Sequence, residues 1–389
     1  MIRPVPAFDR LGTETAFEVL ARAQQLAAQG HDIINLGIGQ PDFRTPDHIV
    51  EAAKRALDEG RHGYTAAAGI PELRAAVAAD LGSRHDVQVD PGSVLITPGA
   101  KPVMYFAILL LGEPGAEILY PNPGFPIYES MIAYTGATPV PIELLESEGF
   151  SFDAEQVLAK VNERTRLIIL NSPGNPTGGV VPLEQIERLV EGLKAYPDVV
   201  ILSDEIYSRM LYGEREHVSL LRYEEIRDRL IVIDGWSKTY AMTGWRVGYG
   251  IFPPALFAHA ERLAVNSYSC VNAPTQWAAL AALEGPQDDV DRMVAAFDDR
   301  RKLIVRELNA IRGVQCADPG GAFYVFPNIT GTGIDSRTLQ ARLLDEAGVA
   351  TLSGTSFGAL GEGHLRLSYA ASTEAITSAV ARMKALLAG

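Results

Sequence analysis

The sequence predicts an α/β protein, with a large domain built on a mostly parallel sheet covered by helices and a smaller α+β domain. Three observations carry this expectation. From about residue 93 to 252, short β-branched runs alternate with amphipathic stretches. The runs are apolar throughout instead of alternating, as in strands buried on both faces. Beyond about residue 289 the pattern changes to a long helical stretch, a mixed region and a closing helix, which reads as a separate α+β unit. With 389 residues the chain is also well above the commonest domain size, so two domains are expected.

Taken in order, residues 13–29 are helical by period. The strand runs are Val94-Leu95-Ile96 and residues 117–120, 166–170, 199–202 and 230–233, each bounded by turn residues. Between them, residues 183–196 place Leu183, Ile186, Leu189, Val190 and Leu193 at helical spacing, which suits a helix crossing over the sheet. Residues 289–312 and 373–387 are helical, and residues 322–326 and 365–368 form the mixed region. The N-terminal helix is expected to complete the small domain. The expected division is therefore a large domain over residues 47–288 and a small one from residues 1–46 with 289–389.

Composition excludes several functions. Lys and Arg number 34 against 48 Asp and Glu, a formal charge of −14, the wrong sign for a nucleic-acid partner. With cations scarce, individual Lys and Arg residues beside Gly-rich turns become informative. Cys270 and Cys316 lie far apart without metal-ligand spacing, which fits a reducing compartment, core filling, and no zinc or iron–sulfur site. Residues 1–10 lack the apolar region of a signal peptide, and no apolar run is long enough to span a bilayer. No membrane partner and a cytoplasmic location are expected.

In a doubly wound sheet ligands bind beyond the carboxyl ends of the strands, so the residues after each run carry the functional information. Thr97-Pro98-Gly99-Ala100-Lys101 opens a helix whose exposed N–H groups and dipole suit an anion, although taken alone an ordinary strand-to-helix turn is the favoured reading. Asn171-Ser172-Pro173-Gly174-Asn175-Pro176 has two X-Pro bonds, each with an elevated chance of being cis, and such a turn directs the Asn175 amide. Asp204 and Tyr207 follow the next run, where an acid is also a common N-cap. Last come Ser237, Lys238 and Arg246. A lysine in a turn of small residues at a strand end loses solvent, and its pKa falls toward the nucleophilic range. Ser237 and Arg246 can serve one phosphate beside it.

Asn175-Pro176-Thr177-Gly178, then Asp204-Glu205-Ile206-Tyr207, then Ser237-Lys238 with Arg246 eight residues on, resembles the class I aminotransferases of the aspartate aminotransferase family, fold type I. The likeness runs from Asn35 to near Tyr369, with the motifs in the family's order and spacing. It implies pyridoxal 5'-phosphate as cofactor, held by Lys238 as a Schiff base. Lys238 then also moves the proton of the substrate α-carbon. Asp204 pairs with the pyridine nitrogen, and Tyr207 and Asn175 donate to the ring oxygen. Phe125, in Asn122-Pro123-Gly124-Phe125-Pro126, stacks on the ring, where many relatives carry Trp or Tyr.

The resemblance gives the phosphate to Gly99, Ala100, Lys101, Ser237, Arg246 and Tyr64, the tyrosine reaching across a homodimer interface into a shared active site. Some relatives carry a hydroxyl residue three before the lysine, where this chain has Gly235. Arg366 matches the arginine that binds the substrate α-carboxylate, with Gly39 and Asn175 nearby. Closure of the small domain over the large one then excludes water.

Lys101 also lies where prokaryotic aspartate aminotransferases place a lysine for the distal carboxylate of aspartate or glutamate. An L-amino acid and a 2-oxo acid are thus the expected substrates, with aspartate and 2-oxoglutarate favoured. An alanine-, methionine- or aromatic-preferring aminotransferase is the alternative, and a pyridoxal-phosphate C–S lyase a further one, because fold and cofactor do not fix the reaction. A non-catalytic regulator would need a basic DNA-binding module.

Overall fold

The computed structural model describes residues 2–388. Its first elements are α1 (Thr15–Ala28), β1 (Ile34–Asn35), α2 (Asp47–Asp58) and α3 (Pro71–His85). The central region follows as β2 (Val94–Thr97), α4 (Lys101–Leu111), β3 (Glu117–Asn122), α5 (Ile127–Thr135), β4 (Thr138–Glu143), α6 (Ala154–Lys160) and β5 (Thr165–Asn171). Next are α7 (Leu183–Leu193), β6 (Val200–Asp204), β7 (Leu230–Gly235), the single-turn α8 (Trp236–Thr239) and β8 (Gly248–Ile251). Helices α9 (Pro254–Ser267), α10 (Ala273–Glu284) and α11 (Asp288–Asn309) lead to β9 (Tyr324–Val325) and α12 (Ser336–Asp345). The chain closes with β10 (Val349–Ala350), β11 (Leu352–Ser353), β12 (Leu365–Ser368) and α13 (Thr373–Ala388).

All five expected runs are strands of one seven-stranded sheet, in the order β2-β8-β7-β6-β5-β3-β4. Every pairing is parallel except those of β8, which is antiparallel to both β2 and β7. Two strands of this sheet have no readable pattern in the sequence. β4 contains Pro139 and Pro141, which cannot donate to a ladder; it is tolerated because it lies at the sheet edge. β8 is four residues long with two glycines, too weak a pattern to read locally.

The strands are apolar throughout because both faces are covered. Along β5, Ile168 and Leu170 join one apolar cluster, with Leu73, Val77, Ile186 and Leu189 of α3 and α7. Leu167 and Ile169 join another on the opposite face, with Met104 and Ala107 of α4 and Ala260 of α9. Full burial of each such Ile or Leu contributes about 1.5–3 kcal/mol. Local signals fix the helix ends: Asp153 accepts from the N–H groups of Glu155 and Gln156 to start α6, and Gly136, at φ +86°, ends α5.

A third cluster gathers Phe297 and Ile304 of α11, Tyr324, Leu365, Leu367 and Ile376, and includes Leu36 from near the N-terminus. Val19, Ala23 and Leu26 of α1 pack against Phe326, Leu344 and Leu352. β1 pairs in parallel with β10, so the N-terminal segment and the C-terminal region share one core. The two cysteines are free, Cys316 buried as expected but Cys270 only partly so, because it follows the end of α9 in a turn.

Candidate active site

Strands β3, β5, β6 and β7 point the same way, and β2 joins them because β8 is antiparallel to both its neighbours. Asn171 closes β5, Asp204 closes β6, Ser237 and Lys238 lie in α8 directly after β7, and Gly99 to Lys101 lead from β2 into α4. A cavity of about 490 Å³ lies beyond these strand ends. Ala100, Lys101, Phe125, Asn175 and Asp204 line it, and so do Tyr207, Ser237, Lys238, Arg246, Gly39 and Arg366.

Lys238 Nζ donates to the Gly39 carbonyl at 2.5 Å. Burial, then the charges of Arg366 and Arg246, push its pKa down to about 8, so the amine is readily neutral. Burial acts in the opposite direction on Asp204, raising its carboxyl to about 6 against the pull of a hydrogen bond from Tyr128. Tyr128 Oη donates to Asp204 Oδ2 at 2.6 Å, and the Ile206 N–H approaches Oδ1 at 3.3 Å. The Asn171 side chain donates to the Asp204 carbonyl at 2.9 Å and accepts from the Asn175 N–H at 2.9 Å, tying the β6 end to the Asn175 loop.

Arg366 is buried on β12, with its guanidinium 4.5 Å from the centre of the Tyr324 ring and 4.8 Å from that of Phe357. It donates to Asn175 Oδ1 at 3.1 Å and to the Gly37 carbonyl, while its Nε has no hydrogen-bond partner among the described residues. Tyr207 shares a 2.7 Å hydrogen bond with Tyr324, and burial holds its phenol well above the usual range. Phe125 packs edge-to-face on Tyr128 at 5.7 Å, and the Lys101 ammonium lies 5.4 Å from its ring centre.

The turn before α4 is shaped for close approach. Gly99 has φ +81°, and a Cβ there would stand 2.2 Å from Arg246 Nη2, so only glycine lets the guanidinium settle on this turn. Gly235 is explained similarly: it pairs with Gly248, and its Cβ would stand 2.8 Å from the Gly248 Cα, leaving no room for a hydroxyl side chain. Ser237, Arg246 and the N-terminus of α4 thus face one space that suits a phosphate.

Tyr64 stands apart. It is 94% exposed and does not line the cavity. Among the lining residues that sequence reasoning does not single out are Glu14, Tyr128, Asn171 and Tyr324. Asn171 has a usable signal, since it ends a recognisable strand. The other three carry no local signal of function. Glu14 takes the ammonium of Lys101, the group expected to receive a substrate carboxylate.

A lysine with a lowered pKa, a buried acid and two arginines around one cavity correspond to the motifs read from the sequence. The family model for class I and II aminotransferases matches residues 31–383. The chain belongs to that family. It is 37% identical over 391 residues to the aspartate/prephenate aminotransferase of Cereibacter sphaeroides, covering 98% of this chain and 97% of that one. It is 41% identical over 378 residues to the aspartate aminotransferase of Streptomyces avermitilis, covering 94% and 92%. The crystal structure of the aspartate aminotransferase from Rhizobium meliloti superposes with a TM-score of 0.95 at 32% identity, over 100% of this chain and 99% of the other. This aminotransferase therefore has the family's α/β fold type I, with its large, mostly parallel sheet.

Proposed function

We propose that this aminotransferase uses pyridoxal 5'-phosphate to move an amino group between an L-amino acid and a 2-oxo acid, with aspartate and 2-oxoglutarate as the favoured pair. The observation that carries this reading is the grouping of Lys238, Asp204, Arg246 and Arg366 around one cavity. The residues fit the cofactor. A buried carboxylate suits a cationic ring nitrogen, the unpartnered Arg366 Nε suits a carboxylate beside it, and the glycine turn under Arg246 suits a phosphate. The curated relatives named for aspartate support the substrate pair.

When bound, the cofactor supplies an aldehyde that takes up amino groups and an electron-poor ring that stabilises negative charge at the substrate α-carbon. Asp204 would hold a proton on the ring nitrogen, with the Tyr128 hydrogen bond favouring its ionised carboxylate. Lys238 Nζ, whose pKa is lowered to about 8, would serve as the base for the proton of the substrate α-carbon and as the acid that returns it. Tyr207 and Asn175 would donate to the ring oxygen, and Phe125 would pack against the ring. Ser237, Arg246 and the N–H groups from Gly99 to Lys101 would hold the phosphate. Arg366, beside Gly39, binds the α-carboxylate.

Tyr64 completes the phosphate site from a second copy of the chain, which accounts for a tyrosine exposed on its own subunit. The reading is thus of a homodimer with shared active sites. Residues 47–288 form its cofactor-binding domain. Residues 1–46 with 289–389, which carry Gly39 and Arg366, form the domain that closes on substrate. Two unpaired cysteines suit a cytoplasmic setting.

The test follows the cofactor absorbance of the holoenzyme as each of the twenty amino acids is added, then repeats it with Lys101→Ala. Conversion fastest with aspartate and glutamate, and a loss in the variant confined to those two, supports the reading. Equal loss for all substrates removes Lys101 from side-chain recognition. Release of pyruvate and ammonia without an oxo-acid acceptor assigns a lyase instead.

A further inference from the structure

We propose that Glu14 is an exchangeable counter-ion for Lys101, one that a distal substrate carboxylate displaces and an uncharged substrate side chain leaves in place. The inference rests on the transaminase reading above and concerns which side chains the same site admits. Glu14 is the residue that precedes α1, the usual place for a side chain that caps a helix, yet its side chain makes no capping bond. Its carboxylate turns into the cavity and pairs with the Lys101 ammonium at the first turn of α4. The Glu14 side chain is 15% exposed and that of Lys101 44%, so the acid is the more enclosed partner.

Charge balance gives the pair its meaning. Lys101, Lys238, Arg246 and Arg366 are the cations lining the cavity, and Glu14 and Asp204 the anions. The cofactor phosphate takes Arg246, the substrate α-carboxylate takes Arg366, and the ring nitrogen takes Asp204. Lys238 is the reacting amine. Lys101 and Glu14 are left, already matched to each other. A substrate with an uncharged side chain leaves them so. A dicarboxylic substrate brings a second carboxylate to a single ammonium, and repulsion between the two acids is relieved only when Glu14 lets go.

The backbone around Glu14 is held on both sides. Before it, Arg10 donates to the Ala133 carbonyl at 2.8 Å and the Gly12 N–H donates to Ser130 Oγ at 2.9 Å. After it, Val19, Ala23 and Leu26 bury α1 in its apolar cluster. Exchange therefore requires rotation of the Glu14 side chain, beside the exposed Phe17, and no departure of the segment. One cavity can in this way accept both members of an amino-donor and oxo-acceptor pair that differ in side-chain charge.

The test uses Glu14→Gln, which keeps shape and removes the competing charge. Calorimetric titration of the holoenzyme with succinate, which has a distal carboxylate, is compared with butyrate, which has none. The ratio of succinate to butyrate affinity is expected to rise about threefold to tenfold in the variant, the scale of a partly exposed ion pair. The rise is expected to vanish when Lys101→Ala is added to the same chain. An unchanged or lower ratio overturns the proposal, as does a rise that survives loss of Lys101, or an absence of succinate binding in both proteins. Binding is read without turnover, so a chain that transaminates no amino acid would defeat the functional reading while the Glu14 effect was still measured.

Discussion

The Tyr128 hydroxyl donates to the Asp204 carboxylate across 2.6 Å, joining helix α5 to the end of β6 over 76 residues of sequence. Burial, with the nearby charges of Asp234 and Glu205, raises the Asp204 carboxyl, and this bond is the largest influence holding it down. Tyr128→Phe keeps the packing and removes the donor. The acid is then ionised only at higher pH, which weakens its hold on a cationic ring nitrogen. A hydrogen bond to a charged group contributes about 1.5–3 kcal/mol, so kcat/KM is expected to fall by roughly tenfold or more. The acidic limb of its pH profile is expected to move upward; a profile unchanged in shape and height would show that Tyr128 does not act through Asp204.

Lys238 must be neutral to attack an aldehyde, and its ammonium loses its proton near pH 8 instead of near 10.5. The rate at which the apo-enzyme captures pyridoxal phosphate is therefore expected to climb with pH and level off just above 8. A stopped-flow series from pH 6 to about 10.5 measures this. Continued climbing to the upper end would place the lysine in an unperturbed environment. Lys238→Ala is expected to abolish the borohydride-reducible linkage altogether.

Gly99→Ala puts a methyl group where Arg246 Nη2 stands, at a backbone angle of φ +81° that alanine resists. The conformational penalty is about 1 kcal/mol, and the guanidinium has to move off the turn. Cofactor affinity, measured by titrating the apo-enzyme, is expected to weaken roughly tenfold or more. Arg246→Gln is expected to lose a similar factor, and the two losses are expected to be less than additive because they act on one group.

Tyr64 lies outside the cavity of its own chain. If it serves the site of a second copy, co-expressing Tyr64→Ala with Lys238→Ala chains creates mixed dimers in which one of the two sites is complete. About a quarter of wild-type activity is expected for random pairing at limiting cofactor. Activity no higher than that of the better single variant would place Tyr64 elsewhere.

Much of the site is legible in the sequence because its key residues sit at the ends of strands. An apolar β-branched run such as residues 230–233 announces both the strand and the place where it stops, and Lys238 follows that stop. Asp204 and Asn175 stand out in the same way. Helices α7 and α13 declare themselves by period, whereas β4 and β8 stay hidden because their prolines and glycines carry no such pattern.

The alternation of strands and helices, and with it the set of residues at the carboxyl edge of the sheet, is written in the chain itself. Side-chain period and turn chemistry are local properties, so no distant contact is needed to read them. Three pairings arise only on folding: Tyr128 holds Asp204, Tyr207 meets Tyr324 across 117 residues, and Glu14 answers Lys101 across 87. Those pairs depend on strand order and on how α1 and β9 fold back over the sheet, which no local pattern encodes.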